Sequence, residues 1–100
     1  MAYNKVTVEG LTPFDYESIT VADSAIGLTA AKYLDAEHAE MTLETAQIRI
    51  RLDGTDTTSS EGHLVEVGDT LALNSAAQIA NFKATRTGGT SGVLKVTYFH

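Results

Sequence analysis

Residues 45–56 carry the feature that most restricts what this chain can fold into. Ile48, Ile50 and Leu52 alternate with Gln47, Arg49 and Arg51, and the run ends in the turn signal Asp53-Gly54. On a helix, apolar residues spaced by two would scatter around the circumference. On a pleated strand they share one face, because successive side chains point to opposite sides. The stretch therefore reads as a half-buried β-strand with a polar, arginine-bearing outer face.

Later segments repeat the pattern. Leu71 and Leu73, then Phe82 and Ala84, then Leu94, Val96 and Tyr98 alternate with polar neighbours, and turn residues separate the runs. With 100 residues and 43% hydrophobic content, the chain fits one globular domain with a modest core. The expected fold class is all-β, an antiparallel β-sandwich or jelly-roll-like barrel over residues 1–100. At most one short helical turn is expected, near residues 75–79, where Asn74 or Ser75 caps Ala76, Ala77 and Ile79.

Taken in order, residues 3–8 alternate with Val6 and Val8 on one face and read as an edge strand. Pro13, the only proline, is expected in a turn after Thr12. Residues 16–21 follow as a strand, with Ile19 and Val21 inward and Glu17 and Thr20 nearer solvent. Residues 29–34 fit a helical turn or a short strand. Asp35, Glu37, His38 and Glu40 read as a solvated acidic loop. Met41, Leu43 and Thr45 restore alternation, and Ala46 puts Ile48 out of phase with Leu43, as a β-bulge would. Residues 54–62 form an exposed Thr- and Ser-rich loop, residues 64–67 a short strand, and Gly68-Asp69 a turn into residues 70–73. Residues 81–86 and 93–99 are expected to pair as a hairpin across residues 87–92, with Gly88 and Gly89 at left-handed backbone angles.

There are no cysteines, so neither disulfides nor thiolate metal sites hold the fold. The net charge of −6 argues against tracking a nucleic-acid backbone, and all of it lies in the first half. Up to Thr45 there are 8 acids and 2 bases; beyond it, 5 acids balance 5 bases. No run approaches the roughly 20 apolar residues of a membrane helix, and no basic region followed by an apolar stretch marks a secretion signal.

His38, His63 and His100 lack the close spacings of a zinc site, so no metal is expected. Asp53 to Asp56 lacks the alternating acids and distal glutamate of a calcium-binding hand. Residues 87–92 lack the lysine of a phosphate loop, and no Gly-x-Ser-x-Gly elbow is present. The chain is expected to be no enzyme and to need no cofactor. Arg49 and Arg51 share one polar strand face, with Arg86 on a strand close by. These three arginines are the candidate protein-interface residues, since arginine is favoured at interfaces.

The order of three motifs carries a resemblance. They are Ile48-Arg49-Ile50-Arg51-Leu52-Asp53-Gly54-Thr55, then Gly62-His63-Leu64 with Gly68-Asp69-Thr70-Leu71, then the run from Asn81 to Gly92, Asn-Phe-Lys-Ala-Thr-Arg-Thr-Gly-Gly-Thr-Ser-Gly. Together they resemble a family of small virion structural proteins of tailed bacteriophages, over a little more than half the chain. The resemblance implies a β-sandwich subunit with no cofactor, located in the virion. The expected role is a capsid decoration protein that contacts the major capsid protein or other virion proteins and forms a homo-oligomer, with no nucleic-acid or membrane partner. A neck or tail component is the neighbouring expectation. From another class comes a carbohydrate-binding sandwich, which would display Tyr3, Tyr16 and Tyr33 in a concave site.

Overall fold

The computed structural model describes residues 10–100. In chain order the elements are β1 (Pro13–Val21), α1 (Ala30–Tyr33), β2 (His38–Glu44), β3 (Ile48–Arg51), β4 (His63–Val65), β5 (Thr70–Leu73), α2 (Ala76–Asn81), β6 (Lys83–Arg86) and β7 (Gly92–Phe99). The strands form two antiparallel sheets, β1-β7-β2-β5 and β4-β3-β6, packed as an all-β sandwich. The strand expected over residues 3–8 lies outside the described residues.

Two-residue alternation builds the core directly. Ile19, Val21, Ala39, Met41, Leu43, Leu73, Leu94, Val96 and Tyr98 come from the larger sheet, and Ile48, Ile50, Val65 and Ala84 from the smaller. Ile79 of α2, with Phe82 and Leu28, joins the same cluster. Burying a side chain of this size stabilises by roughly 1.5–3 kcal/mol, so without disulfides packing carries the fold. At α2, Ser75 Oγ accepts from Gln78 N at 3.2 Å while Gln78 Oε1 accepts from Asn74 N at 2.7 Å, a reciprocal cap. A second short helix, α1, forms where the Ala-rich sequence left helix and strand equally open.

The described strands overlap the runs that alternation marks, with shifted ends, and one pairing differs. β6 pairs with β3, Arg49 opposite Thr85, whereas β7 pairs with β1 and β2. Residues 87–91 are therefore a crossover between sheets, not a hairpin turn. Gly88 and Gly89 keep ordinary backbone angles, with nothing within 4 Å of where a Cβ would stand. Alternation identifies a strand and its inner face; it does not identify its partner, because both sheets face one core.

The phase break at Ala46 has the same origin. β2 ends at Glu44, Thr45 takes φ 79°, and the chain re-enters as β3 in the opposite sheet. Leu43 and Ile48 thus reach the core from opposite sides without a bulge. Pro13 opens β1 instead of sitting in a turn. Among the described residues β1 pairs only with β7, and a first strand position tolerates the missing N–H. β3 stops at Arg51, so Leu52 leaves the strand and is exposed. The strand expected over residues 64–67 is His63–Val65, with Val67 exposed in the following turn.

Two sets of polar residues lie deeper than expected. Glu17 is buried beside Ile19 and Val21, and His38 and Glu40 are buried in β2, not in a solvated loop. Hydrogen bonds also tie the sheets at their flanks: Arg86 N donates to Ala22 O and Ile26 exchanges bonds with Ala84, while Gly68 N donates to Leu43 O.

Candidate functional site

The arginine-bearing outer face of β3 is roofed by residues 52–62. Arg49 Nη1 donates to Gly62 O at 3.0 Å and its Nε to Ser59 O at 3.3 Å. Beneath the same loop, the hydroxyls of Thr57 and Thr85 stand 2.6 Å apart, and that of Thr85 donates to Thr57 O at 3.1 Å. Thr57 is buried although its neighbours are exposed. Within the loop, Thr58 N donates to Glu61 O, and Glu61 N donates to Thr58 Oγ1. An exposed Thr- and Ser-rich segment is thereby fixed to the sheet at several points and held in one shape.

At one end of this roof lies an open depression of about 490 Å³ lined by Arg51, Leu52, Asp53, Glu61, Gly62 and His63. Arg51 binds Asp53 through Nε at 3.1 Å and Nη2 at 2.5 Å. That bond, followed by one from Thr55 N, holds the Asp53 carboxyl below its ordinary range, and the same contact raises Arg51. Lys83 stands 3.9 Å from Asp56. Leu52 on the rim and Leu64, opposite Arg49 across β3 and β4, are both exposed. These two apolar side chains thus lie among the paired charges of Arg51 with Asp53 and Lys83 with Asp56.

The structure brings together two of the three candidate arginines. Arg49 and Arg51 share the outer face, but each is engaged within its own chain. Arg86 is opposite Ile48, so it belongs to the inner face at the sheet margin, and it donates to Ser91 Oγ at 3.2 Å. The histidines stay apart in role: His63 lines the depression, His38 Nε2 bonds Glu40, and His100 stacks edge-on to Phe14 with centroids 4.1 Å apart. Among the described residues no group of three or more His, Asp or Glu is placed to hold a metal ion.

Sequence reasoning missed a buried polar knot. Glu17 accepts from Tyr98 Oη, from Thr29 Oγ1 at 2.6 Å and from Thr29 N at 3.2 Å, joining β1, β7 and the start of α1. Burial first, and then Glu17, raise the Tyr98 phenol far above its ordinary value. The two-residue period was the available signal, since it puts Glu17 on the face of Ile19 and Val21. Among the described residues, no buried side-chain nitrogen or oxygen lacks a hydrogen-bond partner.

Tyr16 is exposed on the outer face of the larger sheet, Tyr33 packs against the core, and Tyr3 lies outside the described residues. The depression itself is lined by no Tyr, Phe or Trp. Among the described residues no helix is long and apolar enough to cross a membrane. Comparison with family models, with curated proteins and with solved structures found no match.

Proposed function

We propose that this chain is a non-enzymatic structural subunit of a phage virion, a capsid decoration protein that binds other virion proteins through the outer face of the β4-β3-β6 sheet. The observation that carries the contact reading is the braced loop over β3. Arg49 holds two loop carbonyls while Leu52 and Leu64 stay exposed beside it. A loop fixed before binding loses little conformational entropy when a partner docks, so its apolar groups contribute more fully to affinity.

The assignment to a virion rests on the resemblance of the motifs from residue 48 onward. The β-sandwich is the fold that resemblance implies, and a sandwich of this kind serves many other roles. The head surface is the leading placement and the neck or tail the neighbouring one. In this reading the partner is the major capsid protein or another virion protein, the subunits associate as a homo-oligomer, and neither nucleic acid, membrane nor cofactor takes part.

The arginines act differently from free contact charges. Arg49 shapes the surface from below, and Arg51 neutralises Asp53 at its rim, so the central contact is apolar and the charges border it. Imaging particles that carry a labelled copy of this chain tests the proposal. Label on the head lattice supports decoration, label at the portal end or tail moves the role to the neck or tail, and unlabelled particles overturn the virion assignment.

A further inference from the structure

Asp53-Gly54 is the one place in the chain where an Asp or Asn precedes Gly. Such a pair is chemically labile, because the glycine amide meets little steric hindrance when it attacks the neighbouring side-chain carbonyl. Here the pair lies on an exposed rim, and Gly54 has φ 83°. Both reacting groups are nevertheless engaged. The Asp53 carboxylate receives Arg51 Nε, Arg51 Nη2 and Thr55 N, and Gly54 N donates to Asn81 O at 3.2 Å.

We propose that Asp53-Gly54 is a site of spontaneous isoaspartate formation and that Arg51 keeps it closed in the folded chain. In the reaction, Gly54 N attacks Cγ of the protonated Asp53 carboxyl, forming the N–Cγ bond of a succinimide ring, while the carboxyl's hydroxyl takes the proton lost from nitrogen and leaves as water. Hydrolysis returns one water. Opening at the α-carbonyl leaves the backbone running through Cγ as isoaspartate; opening at the other carbonyl restores aspartate. No oxidant, reductant or other reactant is consumed.

Two features of the fold slow this step. The leaving group requires the protonated acid, and the guanidinium of Arg51 stabilises the carboxylate instead. The nucleophile must first give up its bond to Asn81, which anchors the loop to the end of α2. Glu61 and His63, the other titratable groups around the depression, touch neither reacting atom through a hydrogen bond. Isoaspartate would insert a methylene into the backbone where residues 52–62 leave β3 and would shift the rim. The chemistry does not depend on the proposed virion role.

The test follows isoaspartate in the intact chain at physiological pH and temperature, using enzymatic methyl transfer for the total and peptide mapping for the position. Wild type is compared with Arg51→Gln, with wild type in high salt, and with wild type in denaturing urea. The expected result is slow accumulation at Asp53 in folded wild type and several-fold faster accumulation there in Arg51→Gln and in urea. High salt, which screens an exposed ion pair, should give a smaller acceleration in the same direction without any substitution. Equal rates in wild type, the variant and high salt would overturn the role of Arg51. Lack of isoaspartate at Asp53 even in urea would overturn the site.

Discussion

Gly92 lies so close to Ala46 that a Cβ on the glycine would stand 2.7 Å from the Ala46 carbonyl oxygen. The same atom would stand 2.7 Å from Ile48 Cγ2 and 3.2 Å from Leu43 Cδ1. This is where β7 begins, at the corner through which the chain passes from β2 in one sheet to β3 in the other. The two sheets approach as closely as they do because residue 92 has no side chain.

Gly92→Ala should therefore destabilise the chain by about 1–3 kcal/mol, the usual effect of forcing atoms into a packed interior. Gly88→Ala and Gly89→Ala, in open space at ordinary backbone angles, should stay within about 0.5 kcal/mol of wild type. Urea unfolding of the three variants checks this, and equal stability of all three would contradict the close approach at Ala46.

Tyr98→Phe removes one of the donors to Glu17 and should cost roughly 1–3 kcal/mol at neutral pH, because the remaining Thr29 bonds leave the buried carboxylate short of one partner. It should also change the alkaline limb of stability. The folded-state phenol titrates above its unfolded value, so its contribution is complete below about pH 10 and is lost as pH rises beyond that value. Above pH 10, wild-type stability should fall more steeply than that of Tyr98→Phe, by up to about 1.4 kcal/mol per pH unit. Parallel curves for the two proteins would refute the raised phenol.

Arg49→Ala should free residues 55–62 while leaving the sandwich intact. Amide exchange in that loop should quicken, and global stability should fall by no more than about 1–3 kcal/mol, the range for hydrogen bonds to a charged group. Exchange across β7 should stay slow. If loop exchange is unchanged, the brace is not what orders the loop.

The larger part of the fold was legible because it depends on parity. Ile48 with Ile50, Leu94 with Val96 and Tyr98, and Ile19 with Val21 each took the inner face that a two-residue period assigns them. Capping at Ser75 was legible for a similarly local reason. What stayed hidden was relational. Nothing in residues 81–99 says that β6 turns to β3 while β7 joins β1 and β2, since both arrangements bury Phe82, Ala84 and Leu94. Chemical type points Glu17 to solvent against its own parity, and the partners that hold it inside, Tyr98 and Thr29, are remote in sequence. Arg49 and Arg51 were legible as an outer pair. Their engagement with Gly62, Ser59 and Asp53 was not, since a loop that returns to cover its own strand leaves no periodic mark.

The proposed attachment surface of this chain on its particle is the outer face of the β4-β3-β6 sheet. Leu64 is the residue with which to test it, being exposed, on that face and outside the core cluster. The measurement is co-sedimentation of wild type and Leu64→Asp with phage heads assembled without this chain, alongside the melting of each isolated protein. Melting should agree within about 0.5 kcal/mol, as for an exposed position. Attachment should weaken at least tenfold, the effect of losing about 1.4 kcal/mol of contact energy. Equal attachment by the two proteins, with both folded, would contradict the account.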